Sequence, residues 1–573
     1  MITLQKRWDI LPLAPAEHLA SCPDVPPLVM QLLYNRQIYT PDEVRAFLAR
    51  SFSVDNPFLL KGMNKAVARL RLAIRTREVI AIYGDYDVDG VAATALLVST
   101  LQALGARVIP YIPNRMDEGY GLNIPALETL ARQGIQVVVT VDCGVRSVKE
   151  AEFASSQGLD LIITDHHALG SELPPAVAVI DPRREDERYP FKQFAGVGLA
   201  FKLAQALLRA ERQVPISKAS ALPEEEDLLD LVALGTVADL APLIGENRAL
   251  VYRGLEQLKK AQRPGIAAML EEAGLQPEQV DATAIGFVLG PRLNAAGRLD
   301  TAMASYKLLT TPSTDEAVLL AQQLGTQNRE RQQRMNEMVE KARQEVLALG
   351  DNLIYILASS DYTVGIAGLV ASRIMEEFYR PTLVIALEEQ QSKGSARSIS
   401  AFHITKALDE CQDLLVKHGG HAVAAGFTIH NDKLDALRAR LHEIASKQLT
   451  PQDLVPSLKI DGALPLNKAN GETLALIEGL QPFGVGNPKP TFVSYNVRVR
   501  ECRPINSERA GLKLKLSDGI AMWDAIAFQE IAAGNLSDYI DVVYTLQSNT
   551  WHDRKWLELV VKDLRPAAHE SEQ

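Results

Sequence analysis

Three aspartates alternate over five residues in IYGDYDVDGVAA, Asp85, Asp87 and Asp89, and they end on a glycine that opens an apolar run. Carboxylates packed that tightly repel one another unless a cation or hydrogen-bond donors hold them together. A turn without chemistry, half of a calcium loop, or a metal site would each do so. The calcium loop is disfavoured, because its final glutamate is missing and an apolar helix pattern begins at once. Acids and histidines stand in similar places further on: Asp142 after VVVTV, Asp165-His166-His167 after LIIT, Asp181 after VAVI, and Asp239 in VADLAPL. Carboxylate oxygens with one or two imidazoles suit Mn²⁺ or Mg²⁺ better than the thiolate sites zinc favours. Two such ions ~3.5–4 Å apart would stabilise both the attacking and the leaving oxygen of a phosphoryl hydrolysis. The catalytic candidates are therefore Asp87, Asp89, Asp142, His166, His167 and Asp239. The metal candidates are Asp85, Asp87, Asp89, Asp142, His166 and Asp239, with a turn-capping role the alternative for Asp85.

Phosphate-binding candidates accompany them. Arg115 and Tyr120 lie in the polar stretch NRMDEGYGLN, just after a strand pattern. Arg292 and Arg298 in GPRLNAAGR, and Ser395 with Arg397 in KGSARS, read as residues of glycine-rich loops, where backbone N–H groups and Arg can grip a phosphate. His421 follows two glycines in HGGHAVAAG, which would let backbone approach a ligand closely. Taken singly, each arginine reads more readily as half of a surface ion pair. Between residues 489 and 515 seven basic residues face two acidic ones. Alternation in VRVR and LKLKL puts Arg498 with Arg500, and Lys513 with Lys515, on one strand face each. Phe492, Tyr495 and Trp523 lie nearby. Charge for a backbone and rings for bases are what a single-strand groove requires.

The elements that must position these residues follow from periodicity. From about residue 79, Val/Ile runs alternate with helical segments, the pattern of a parallel sheet covered on both faces. Ligands gather at the carboxyl ends of such strands, where the acids and histidines stand. Residues 190–312 read as mainly helical, and 313–349 as one long helix or two stacked ones. A second α/β unit follows to about 448, and short alternating strands over 456–566 have a barrel-type, all-β pattern. The expected divisions are an N-terminal segment (1–50), a catalytic α/β domain (51–312), a connecting helix (313–350), a second α/β domain (351–450) and the barrel (451–573).

A chain of 573 residues, 47% hydrophobic and 23% charged, is too long for one core. No stretch reaches the ~20 apolar residues of a membrane span, and the first residues lack a signal-peptide pattern. Four dispersed cysteines support neither a disulfide framework nor a zinc knuckle, so a cytoplasmic location is expected. The net charge of −11 argues weakly against indiscriminate nucleic-acid binding and does not exclude a local basic groove.

In order, GDYDVDG, VDCG, DHH, VADLAPL, GPRLNAAGR and GGHAVAAG resemble the DHH phosphoesterase superfamily, in its bacterial single-strand exonuclease branch, over residues 50 to 566. The resemblance implies a parallel-sheet DHH domain, a DHH-associated α/β domain and an OB-like barrel. It implies 5′→3′ hydrolysis of single-stranded DNA to mononucleotides with two Mn²⁺ or Mg²⁺ ions, in recombination and repair. Metal ligands would fall on Asp87, Asp89, Asp142, His166 and Asp239, with Asp142 bridging and Asp85 and His167 alongside. Phosphate contacts would fall on Arg115, Arg298, Ser395, Arg397 and His421, with Tyr120 near the terminal nucleotide. The partners it implies for a monomer are a helicase and a single-strand-binding protein, and no further C-terminal domain is expected. Tyr83 stands where many DHH enzymes have histidine, and Tyr362-Thr363 where Trp-His is usual in this branch. The alternatives are a short-oligonucleotide or small-phosphoester hydrolase, which would not need the basic barrel, and a non-hydrolytic strand-binding scaffold, which would not need the intact Asp/His set.

Overall fold

Val- and Ile-rich runs bounded by glycines and acids fold as buried strands. The computed structural model describes residues 5–50, 56–115, 117–119, 121–216, 222–299, 301–505, 511–528, 536–551 and 554–567. They divide into two units, residues 45–331 with 481–488, and residues 1–44 with 332–480 and 489–573.

In the first unit the strands β1 (Val79–Tyr83), β2 (Arg107–Tyr111), β3 (Val137–Val141), β4 (Asp160–Thr164) and β5 (Ala178–Ile180) form an all-parallel sheet in the order β2-β1-β3-β4-β5. Helices α1 (Val88–Ala103), α2 (Ile124–Arg132) and α3 (Val148–Ser156) lie between them in the chain. The two-residue period splits each strand between two cores. Ile80, Ile82 and Val139 pack on the α1 side, and Ala81, Tyr83 and Val138 on the α2 and α3 side. Sheet cover on both faces explains why the strands read as unbroken apolar runs. Helix α1 is buried nearly all round, as its uniformly apolar sequence requires.

The expected helical region contains α4 (Gly196–Gln213), α5 (Leu229–Ala238), α6 (Gly245–Lys260) and α7 (Gly290–Leu299). Helix α7 is GPRLNAAGRL, so the expected loop carrying Arg292 and Arg298 is instead helix. Its alanines, leucines and arginines outweigh two glycines. Lys202 of α4 and Glu246 of α6 form a buried ion pair at 2.5 Å, and the Tyr189 hydroxyl donates to the same carboxylate at 2.7 Å. The pair ties α6 to the half of α4 that begins at Gly196. Residues 314 to 349 form one continuous helix, α8 (Thr314–Leu349).

In the other unit, β6 (Tyr355–Ser359), α9 (Val364–Phe378), β7 (Thr382–Ala386), β8 (Gln391–Arg397), β9 (Leu415–His421) and β10 (Ala424–His430) build a sheet in the order β9-β10-β8-β7-β6. KGSARS is thus mostly strand β8, a correction to the expected loop, and HGGHAVAAG is the turn and flanks of the β9–β10 hairpin. Strands β11 (Phe492–Pro504), β12 (Leu512–Ser517), β13 (Met522–Ala527), β14 (Tyr539–Trp551) and β15 (Arg554–Pro566) form the expected barrel, which closes where β11 pairs with β14. The N-terminal segment contributes a strand unforeseen from sequence, Arg7–Ile10, which pairs in parallel with Ser457–Ile460.

Lys202→Met should destabilise its unit by about 3–5 kcal/mol, because Glu246 is left buried without its counter-charge. Adding Glu246→Leu should recover most of the loss. Urea denaturation followed by circular dichroism measures both, and an unshifted midpoint for the single variant would discard this role for the pair.

Candidate functional site

The aspartate turn closes β1 onto the start of α1. Asp87 caps that helix, accepting the backbone N–H groups of Asp89 and Gly90 at 2.9 and 3.1 Å. Asp89 lies one step inside and is fully buried. Its two oxygens accept the Gly196 and Val197 N–H groups at the start of α4, at 2.6 and 2.8 Å. A helix N-terminus thus stabilises this carboxylate. Two glycines make room for the crowd. A Cβ on Gly196 would stand 2.6 Å from the Asp142 Cβ, and one on Gly235 would stand 2.7 Å from an Asp89 oxygen.

Asp142 follows β3 in the left-handed region, with φ of 62°, a conformation Asp tolerates better than most residues. Its Oδ1 lies 3.0 Å from His166 Nε2, which is also 3.9 Å from Asp89 and 3.9 Å from Asp239. Asp239 caps the end of α5. Three groups result whose ligand atoms lie within 4.8 Å of one another: Asp85, Asp87 and Asp142; Asp89, His166 and Asp239; Asp142, His166 and His167. Every metal candidate read from the sequence belongs to at least one of them. The sharing of Asp142 and His166 between groups suits two neighbouring ions.

Electrostatics favour the same occupant. Burial raises the carboxyl of Asp89 to about 7, aided by Asp87, and that of Asp239 to about 9, aided by Asp89 and Asp87. Burial also pushes Asp85 and Asp142 well above the usual range, with neighbouring aspartates adding to it. Asp85 Oδ1 is buried without a hydrogen-bond partner among the described residues. A buried oxygen with no donor, among acids that cannot all ionise together, fits a divalent cation. Burial drives His166 down to about 3, which leaves a neutral ring able to offer a lone pair. Burial acts the same way on His167, but the Asp165 hydrogen bond outweighs it and raises that ring.

Asp165 is the residue that sequence reasoning quoted but did not place in the site. Its oxygens accept the N–H groups of Val145, His166 and His167, and hold His167 Nδ1 at 2.8 Å. Its place directly before two histidines was the available signal, since a carboxylate behind an imidazole fixes ring orientation. Tyr83 is not a ligand. Its hydroxyl donates to the Gly121 carbonyl and accepts from the Asn123 side-chain amide, both at 3.0 Å.

The phosphate candidates separate. The Arg115 guanidinium lies 4.8 Å from the centre of the Tyr86 ring and contributes to the electrostatics of Asp85. Helix α7 abuts the same turn at Gly297, next to Arg298. Arg292 is paired elsewhere, with Glu272 at 2.7 Å. Tyr120 lies outside the described residues. In the other unit, Arg397, Ala424 and His421 align across β8, β10 and β9, and Ser395 lies two residues along from Arg397. Tyr362 is buried in the core beside α9, which withdraws it from any ligand, while Thr363 is exposed.

The basic barrel face is weaker than the sequence suggested. Arg498 and Arg500 are exposed, but a register shift between Val499 and Glu501 breaks the alternation. Glu501 then lies opposite Lys515, 3.7 Å from its ammonium, and 2.8 Å from Arg503. Lys513 is exposed. Phe492 is buried in the barrel and cannot stack on a base, and the Trp523 indole N–H is bound to the Leu466 carbonyl at 3.0 Å. Tyr495, 47% exposed, is the most open ring of the three.

Three family models match in chain order: the DHH family N-terminal domain over residues 79–236, the DHHA1 domain over 350–447 and the RecJ OB domain over 460–563. The single-stranded-DNA-specific exonuclease RecJ of Bacillus subtilis is 37% identical over 98% of this chain and 71% of its own length. The protein of the same name from Escherichia coli is 34% identical over 95% of this chain and 96% of its own. The crystal structure of RecJ in complex with Mn²⁺ from Thermus thermophilus matches with a TM-score of 0.84 at 30% identity, covering 98% of this chain and 79% of that one. The corresponding Mg²⁺ complex matches at 0.78 and 29%, covering 98% and 78%.

Because the carboxyls of Asp89 and Asp239 are raised from 3.8, their contribution to stability is complete below about pH 4. It is lost progressively as pH rises from about 4 to the raised values, about 7 for Asp89 and about 9 for Asp239. Without divalent ions the unfolding temperature should therefore fall across that window, and Mn²⁺ should raise it more at pH 8 than at pH 5. Differential scanning calorimetry of the wild type beside Asp89→Asn/Asp239→Asn would test this. An Mn²⁺ shift independent of pH, or an equal slope in the variant, contradicts the assignment.

Proposed function

The chain belongs to the RecJ family of single-stranded-DNA-specific exonucleases, and from that premise we propose that it degrades single-stranded DNA from the 5′ end, releasing mononucleotides. The observation that carries the chemistry is the set of three ligand groups joined through Asp142 and His166. Asp85, Asp87, Asp89, Asp142, His166 and Asp239 hold two Mn²⁺ or Mg²⁺ ions, with His167 beside them. Bound there, the ions supply Lewis-acid charge to the phosphoryl group and to the leaving oxygen.

The chain's own residues do the rest. Neutral His166 presents Nε2 between Asp89, Asp142 and Asp239. Asp165 holds His167 by Nδ1 and so sets which nitrogen carries the proton. Helix α4 keeps Asp89 aimed by two backbone donors. Arg115 and Arg298 bind phosphate beside the aspartate turn, and Ser395, Arg397 and His421 form a second phosphate-binding group on the other sheet. Arg498, Arg500, Lys513 and Lys515, with Tyr495, bind single-stranded DNA on the barrel. Arg292, committed to Glu272, leaves the binding set.

The basic barrel and its match to the RecJ OB domain favour this reading over a short-oligonucleotide or small-phosphoester hydrolase. The complete Asp/His set favours it over an inert scaffold. The reading extends to a role in recombination and repair, where a helicase would expose the strand and a single-strand-binding protein would cover it. It also extends to a monomer working in the cytoplasm. The buried, unbridged Cys22, Cys143 and Cys411 are compatible with a reducing compartment, and no described helix is long and apolar enough to cross a membrane.

Asp142→Ala should lower cleavage more than about a hundredfold while single-strand binding survives, since it removes a ligand shared between groups. Digestion of 5′- and 3′-labelled single strands with Mn²⁺ reads both rate and direction. Early release of labelled mononucleotide from the 3′ label would reverse the polarity, and retained cleavage in the variant would refute the ligand set.

A further inference from the structure

The loop that carries Arg115 is shaped by two side chains to which the reaction gives no part. Glu118 is its hub. One carboxylate oxygen accepts the Asn114 backbone N–H at 2.8 Å. The other accepts the Tyr111 hydroxyl at 2.7 Å and the Asn123 amide at 3.4 Å. The Glu118 N–H returns to the Asn114 carbonyl at 2.8 Å, which closes a turn with Arg115 inside it. Tyr83 fastens the far end of the loop through Gly121 and Asn123, and its ring stacks on Tyr111 at 5.0 Å. Asn123 in turn caps α2 by accepting the Ala126 N–H at 2.8 Å.

A chain of bonds therefore runs from the ends of β1 and β2, through the loop, to the start of α2. A carboxylate suits the hub because it accepts three donors and donates none. Glu118 belongs to none of the three metal-ligand groups. Arg115 has a long, rotamer-rich side chain, and fixing its backbone beforehand reduces the ordering cost of gripping an anion. The Tyr86 ring beneath the guanidinium completes the placement.

We infer that Glu118, backed by Tyr83, is the positioning residue that holds Arg115 ready for a strand-end phosphate, and that this clamp sets how tightly such an end is bound. The inference rests on the assignment of Arg115 to phosphate binding made above.

Steady-state kinetics on a 5′-phosphorylated oligonucleotide with Mn²⁺ separate the possibilities, with thermal melting as a check on folding. Glu118→Ala should raise KM roughly tenfold, the scale of one misplaced charge-assisted contact, with kcat within about twofold. Glu118→Gln, which keeps an acceptor for Asn114, should recover part of the loss. Tyr83→Phe should raise KM less, and it carries the test if Glu118→Ala fails to fold. If Glu118 acts through Arg115, the double variant Arg115→Ala/Glu118→Ala should be no worse than Arg115→Ala alone. Multiplying effects in the double variant, or an unchanged KM for Glu118→Ala beside a raised one for Arg115→Ala, would overturn the clamp. An unchanged KM for Arg115→Ala would overturn it from the other side, through the role given to Arg115.

Discussion

Carboxylates that cannot all be charged at once, held together out of water, are the constraint around which the first unit is built. Asp85, Asp89 and Asp142 are almost wholly buried, and Asp87 and Asp239 lie against them. In a low-dielectric pocket their repulsion would open the site unless each were tied from behind. Backbone supplies the ties. Asp87 is bound by the N-terminus of α1, Asp89 by that of α4, and Asp142 is fixed by the left-handed turn after β3. The parallel sheet matters because it delivers these turns and helix starts to one edge. The Lys202–Glu246 pair holds α4, whose first N–H groups bind Asp89.

Within that constraint the two adjacent histidines are made unlike. Burial keeps His166 neutral among three aspartates, whereas Asp165 draws His167 the other way. Adjacent identical residues thus acquire different proton affinities because only one of them has a dedicated carboxylate at its Nδ1. Asp165 can serve because it is itself surrounded by donors, which hold it below the usual carboxylate range despite its burial. The first residue of the DHH triple is therefore a support for the third, and the second points into the ligand cluster.

The sequence was most legible where one period governs a whole element. Continuous Val/Ile runs implied two-sided burial, and the acids at their ends could be assigned to one edge before any distance was known. It was least legible where glycine carries two meanings. GPRLNAAGR and KGSARS looked like phosphate loops, yet α7 and β8 absorb their glycines, Gly394 because the Phe427 ring packs over it. Alternation failed on β11 for a different reason. One register shift at Arg500 brings Glu501 opposite Lys515, and nothing in VRVRE announces a bulge. Phe492 counted among the rings for bases because it lies near the basic strands, but barrel closure against β14 buries it.

Tyr83 shows how a non-ligand can still belong to a metal site. It occupies the last position of β1, one residue before the turn, and its side chain falls on the sheet face opposite α1. The two-residue period leaves it no other choice, since Ile82 takes the α1 side. A histidine at this position would face the same way unless the strand end bent. The phenol instead meets Tyr111 and the loop beyond β2, and its hydroxyl is satisfied by Gly121 and Asn123. With no imidazole at this position, the candidate metal ligands of the turn are its aspartates. What the tyrosine gains is a hold on the loop of Arg115. The turn and the loop are thereby anchored to the same strand end, so the candidate metal ligands and Arg115, the proposed phosphate contact, share one rigid base.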